Sequence, residues 1–159
     1  MKNDTLSAVK TSLGEFTGEK ITDVIYFPSS NTKLEGILLS FSNGFILKIF
    51  SFWRIVYQSD IIAGSSDRYL LPTHEAPKRD FEKLSYRESL LYKNMKNVKD
   101  NYLDAEIKSV EINPIFDLSI SLQNSLSIQI LICYRNRPGI NYALYKDEEK
   151  IWEIKNEEI

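Results

Sequence analysis

The side chains that most often carry chemistry are few in this chain, and they are scattered. His74 is the only histidine, so neither a two-histidine metal centre nor a two-histidine nuclease site can form within one chain. It stands in the loop-forming stretch Leu71-Pro72-Thr73-His74-Glu75-Ala76-Pro77, with no sequence-near partner to orient it as a base. Cys133, the only cysteine, excludes an internal disulfide, and its apolar neighbours at 130–134 make it read as a small buried hydrophobe. The glycines at 14, 18, 36, 44, 64 and 139 form neither a dinucleotide fingerprint nor a phosphate loop. Asp60 and Asp67 flank Gly64-Ser65-Ser66, and a loop that brought them together could bind a cation or poise a base. With Arg54, Tyr134 and Arg135 they outline a candidate ligand cleft. The same Asp, Ser and Gly are ordinary turn formers. The expectation is a protein with no catalytic residues, no metal and no cofactor, and not an enzyme.

The charge balance narrows the partners. Twenty Lys and Arg stand against 22 Asp and Glu, a formal charge of −2, and 43% of the 159 residues are apolar. That composition belongs to a globular domain with no strong pull on a polyanion. Residues 78–99 hold a local basic excess, but Glu82 and Glu88 interrupt it and no nucleic-acid reader motif accompanies it. Nucleic acid is therefore not an expected partner. No run of about 18 apolar residues exists to cross a membrane, and residues 1–13 lack a signal-peptide core, so a cytoplasmic location is expected.

These residues must be held by strands for the most part. Asp4 or Thr5 can cap a short helix carrying Leu6, Val9 and Leu13, with Gly14 as its stop. Around Asn43-Gly44, a two-residue turn would mix polar and apolar residues on both faces. A three-residue loop, Ser42-Asn43-Gly44, instead pairs Phe41 with Phe45, Leu39 with Leu47 and Ile37 with Ile49, all on one face. The same loop length at Gln123-Asn124-Ser125 pairs Leu122 with Leu126, Ile120 with Ile128 and Leu118 with Ile130. Ser125 there stands where the first hairpin has Gly44, a disfavoured residue for positive φ. A helical stripe of Phe81, Leu84, Leu91, Met95, Val98 and Tyr102 predicts a helix capped by Asp80, and strands are expected at 140–145 and 150–154.

The two hairpins resemble each other. Ile21, Val24 and Pro28 recur 86 positions later as Ile107, Val110 and Pro114, and Ser40, Asn43, Ile49 and Arg54 recur 81 positions later as Ser121, Asn124, Ile130 and Arg135. The expected organisation is a single α+β domain, 1–159, with an internal repeat of 6–57 and 92–145. It has a largely antiparallel sheet built from two pseudo-repeated strand groups, with one longer helix packed on it. The faces opposite the core differ. The second hairpin shows Ser119, Ser121, Ser127 and Gln129, whereas the first shows Leu38, Ser40, Ile46, Lys48 and Phe50, with Phe52 continuing the row. Either a helix covers that apolar face, or it is an exposed contact surface.

The contact reading makes Leu38, Ile46, Phe50, Phe52, Trp53 and Arg54 candidate partner-binding residues, since interface cores favour aromatics and arginine. Over its whole length, as a small motif-poor chain, the sequence resembles bacterial immunity proteins. That resemblance implies a non-catalytic protein that neutralises a cognate toxin by direct binding. It is also similar to small bacterial proteins with an aromatic-Arg pair after a strand-Asn-Gly-strand unit, here Leu39 to Arg54. Two other functions fit the same residues: a small-molecule binder or enzyme with a site between the halves, and a self-associating homodimeric subunit.

Overall fold

In the computed structural model, which describes residues 2–28, 35–78, 84–132 and 139–155, both hairpins take the register that their side chains require. Strand β1 (Ile21–Pro28) lies beside β2 (Glu35–Phe41), and β2 turns through Ser42-Asn43-Gly44 into β3 (Phe45–Ile49). Leu39 faces Leu47 and Ile37 faces Ile49. After β4 (Phe52–Tyr57), β5 (Asp60–Gly64) and β6 (Ile107–Ile112), the second hairpin joins β7 (Leu118–Leu122) to β8 (Leu126–Leu131). Leu118 faces Ile130 and Ile120 faces Ile128. Ser125 does take the left-handed conformation that Gly44 takes, with φ of 69° against 85°. The final pair is β9 (Ile140–Lys146) and β10 (Glu149–Lys155).

The α+β expectation is met, with the strands shared between two antiparallel sheets. The first has the order β1-β2-β3-β9-β10 and the second β5-β4-β8-β7-β6. Only Phe50 and Ser51 separate β3 in one sheet from β4 in the other. Each sheet thus takes three consecutive strands from one half of the chain and two from the other. Their inward side chains, among them Leu39, Leu47, Ile55, Ile120, Ile128 and Leu144, belong to one buried cluster. A buried aliphatic side chain of this size contributes about 1.5–3 kcal/mol, so the stripe of alternating residues is what fixes the pairing.

Among the described residues two α-helices of 12 residues complete the fold, α1 (Lys2–Leu13) and α2 (Leu90–Asn101). Val9 and Leu13 of α1 enter the core, and Phe16, in the tight turn after it, packs edge-on against Phe41 with ring centroids 4.6 Å apart. Leu91, Met95 and Val98 form the buried stripe of α2. The helix starts later than its apolar pattern predicts. Ser85 and Ser89 are extended, Glu88 accepts from the Ser85 N–H in an isolated 3₁₀ turn, and Ser89 Oγ accepts from the Tyr92 N–H. Capping serines set this boundary, which the periodicity of Leu84 and Leu91 alone does not reveal. Phe81 lies outside the described residues.

Candidate functional site

The outer faces of the two sheets can be compared residue by residue, because their registers correspond. Across the first sheet one row runs Ile25, Leu38, Lys48, Ala143, Glu153, and the next runs Asp23, Ser40, Ile46, Tyr145, Lys150. Across the second, the corresponding rows are Glu111, Ser119, Gln129, Arg54, Gly64 and Ser109, Ser121, Ser127, Val56, Ile61. Apolar Ile25, Leu38 and Ile46 therefore stand where the other sheet has Glu111, Ser119 and Ser127.

The first face is accessible. Ile25 is 43% exposed, and Leu38, Ile46, Lys48 and Phe50 are half-buried. The principal neighbours of α2 are β1, β5 and the 3₁₀ turns at Ser65–Tyr69 and Tyr86–Glu88, while those of α1 are β6 and the turn after it. Neither helix takes β2 or β3 as a principal neighbour. The face also has fixed local structure. Phe27 and Phe50 meet edge-to-face at 5.4 Å, and a Cβ on Gly36 would stand 2.8 Å from the Phe27 ring. Lys48 Nζ lies 4.5 Å from the centroid of the Tyr145 ring, a cation–π contact, and has no carboxylate partner among the described residues. Glu153 accepts from both Lys155 and Lys150, which hold its carboxyl below the usual range.

The predicted contact residues divide among three places. Leu38, Ile46 and Phe50 lie on the outer face of the first sheet. Phe52, 47% exposed and opposite Leu131, lies on the outer face of the second, as does Arg54, whose Nε donates to Gln129 Oε1 at 2.6 Å. Trp53 points inward and is only 5% exposed, so it is a core residue and offers a partner almost no surface. The alternation of a strand explains this: Phe52 and Arg54 can face out only if Trp53 faces in.

The alternative cleft is not brought together among its described members. Asp60 and Asp67 lie at and beyond opposite ends of β5. Asp67 Oδ2 accepts from the Gly64 N–H and from Asn94 Nδ2, both at 2.9 Å, so it closes a turn and ties α2 to it. Tyr134, Arg135 and Cys133 lie outside the described residues. The described His, Cys, Asp and Glu form no group of three able to hold a metal ion. A shallow cavity of ≈ 300 Å³ does open on the second sheet, lined by Glu111, Asn113, Asp117, Ser119, Gln129 and Leu131.

Sequence reasoning missed one cluster. Tyr26 stacks on Tyr86 at 4.1 Å, Tyr92 meets Tyr86 edge-on at 5.4 Å, and Arg68 Nε donates to the Tyr26 hydroxyl at 3.1 Å. Burial raises the Tyr86 phenol above its ordinary pKa. These residues are distant in sequence and share no period, so no local pattern announces them. No family model, curated protein or solved structure matches the chain. The functional reading therefore rests on the residues themselves. Among the described residues, no helix is long and apolar enough to cross a membrane.

Proposed function

We propose that the protein is a non-catalytic protein-binding domain whose contact surface is the outer face of the first sheet, centred on Ile25, Leu38, Ile46 and Lys48. The observation that carries this reading is the substitution pattern between corresponding faces. Both sheets have five strands in matching register, so backbone geometry does not dictate which outer face is apolar. On its central strands the second face has the Ser, Gln and Glu expected against water, its exposed Phe52, Ile61 and Leu131 lying on β4, β5 and the end of β8. The first face instead carries aliphatic and aromatic side chains on its central strands, around a lysine that has no carboxylate partner among the described residues. That mixture suits a protein surface that is apolar at its centre and presents a carboxylate to Lys48. The more specific reading is an immunity-type protein that neutralises a cognate bacterial toxin by binding it directly. It is supported by the general resemblance of this small, motif-poor chain to such proteins.

The second sheet supplies the control for the test. The triple variant Ile25→Glu/Leu38→Ser/Ile46→Ser gives the first face the residues that the second already carries. It should remain folded by circular dichroism. Co-purification of the wild type with the C-terminal domain of a toxin encoded beside its gene, and weakening of at least about 30-fold in the triple variant, are the expected results for a surface with at least one strong anchor among the three. Failure of that pair to associate overturns the immunity reading. Unchanged affinity in the folded triple variant overturns the surface. A wild-type dimer by light scattering that the variant converts to monomer assigns the face to self-association instead.

A further inference from the structure

We infer that the chain is two copies of one unit, a helix followed by five strands, and that the last two strands of each copy have changed places. The units are α1 through β5 and α2 through β10. In both, the first two strands pair with a one-residue irregularity at the same step. Ile21 faces Phe41 and Asp23 faces Ser40, passing Thr22, while Ile107 faces Leu122 and Ser109 faces Ser121, passing Lys108. In both, the hairpin asparagine does the same work. Asn43 Oδ1 accepts from the Phe45 N–H and its Nδ2 donates to the Glu15 carbonyl, just beyond α1. Asn124 Oδ1 accepts from the Leu126 N–H and its Nδ2 donates to the Tyr102 carbonyl, just beyond α2.

The correspondence continues to the end of each unit. The last two strands are joined by two non-glycine residues of positive φ, Gln58 and Ser59 in one, Asp147 and Glu148 in the other. The irregularity that follows passes Ile62 in β5 and Ile151 in β10. Unrelated amphipathic hairpins share an inward stripe, but nothing obliges them to share bulges and strained turns at the same steps.

The exchange is visible in the pairing. Strand β4 leaves β3 and pairs with β8, whereas β9 leaves β8 and pairs with β3. Each helix also touches the first strand of the other unit, α1 on β6 and α2 on β1, although α2 packs more extensively on β5, a contact that α1 does not match on β10 as a principal neighbour. Lys20 and Glu106, which precede those first strands at corresponding positions, bridge to each other, as equivalent residues do beside a two-fold axis. This is the architecture of a hairpin-exchanged homodimer carried on one chain.

The full chain tests it, in a Cys133→Ser background with a protease site inserted after Ala76. Cysteine pairs at Ile46 and Tyr145, and separately at Val56 and Ser127, probe the two exchanged ladders. A pair at Ser40 and Ile46 is the control within one unit. Exchange predicts that both inter-unit pairs oxidise within one chain and hold the cleaved fragments together on a non-reducing gel, and that the control pair oxidises without linking them. Oxidation of the control alone, or disulfide-linked dimers of uncleaved chain, would overturn it. A second measurement uses Trp53 and Trp152, one in each unit. In the disulfide-free cleaved protein, Trp152 fluorescence in Trp53→Phe and Trp53 fluorescence in Trp152→Phe should each show a urea midpoint that rises with protein concentration. Midpoints independent of concentration would mean self-contained halves and defeat the inference.

Discussion

The Tyr142 hydroxyl donates to the Phe116 carbonyl at 2.7 Å, and it joins β9 in the first sheet to the loop that leads into β7 in the second. Tyr142 is fully buried, and Phe116 holds a positive φ of 67° there. Tyr142→Phe removes that bond with little change of volume, and a loss of about 1 kcal/mol is expected from urea unfolding. Burial, with Asp117 nearby, pushes the phenol well above its ordinary pKa. The native state therefore favours the protonated form. Its contribution is complete below about pH 10 and is lost as the pH rises beyond, because only the unfolded chain ionises readily there. The alkaline loss of stability should be smaller in Tyr142→Phe than in the wild type.

Gly36 admits no side chain. A Cβ at this position would stand 2.2 Å from the Ile49 carbonyl oxygen, a backbone atom that cannot rotate away, as well as against the Phe27 ring. Gly36→Ala should cost about 1–3 kcal/mol, the range for forced overpacking, seen as a lower denaturation midpoint. A midpoint equal to that of wild type would show that the β2–β3 ladder can widen at no cost.

Asp67 reads from the sequence as a possible ligand and from the structure as a brace. Asp67→Ala removes the acceptor shared by the Gly64 N–H and Asn94 and should lose about 1–2 kcal/mol. Asp67→Asn keeps one carbonyl oxygen and should recover part of that loss. A wild-type midpoint in Asp67→Ala would remove the brace from the argument.

Acid should loosen β10 first. Lys155 and Lys150 hold Glu153 below the usual carboxylate range, so the folded state prefers its ionised form. The resulting stability is present above the unfolded carboxylate pKa and is lost as the pH falls through the lower folded value. Amide exchange, corrected for its intrinsic pH dependence, should accelerate selectively in β10 below about pH 4. In Glu153→Gln that acid step should be absent.

The registers of both hairpins are legible in the sequence, because a three-residue loop is the one choice that gathers every apolar residue onto one face. The difference between the outer faces is legible for the same reason. The assignment of Trp53 to a contact surface fails on the alternation that served so well elsewhere: placing Phe52 and Arg54 outside commits Trp53 to the core. The partition into two sheets depends on pairings such as Phe45 with Lys146, which no local pattern encodes. Nor does any period link Tyr26, Arg68, Tyr86 and Tyr92, which meet only when α2 docks beside β1.

The strand order has a consequence for synthesis on the ribosome. Strand β3 is finished by Ile49, but its second neighbour, β9, begins only at Ile140. While the nascent chain lengthens between those points, β3 is a sheet edge with Phe45, Leu47 and Ile49 on its apolar side, open to pairing with other chains. The first sheet can close only after β9 has been made, and so long a wait for a distant partner places this protein among slow, topology-limited folders.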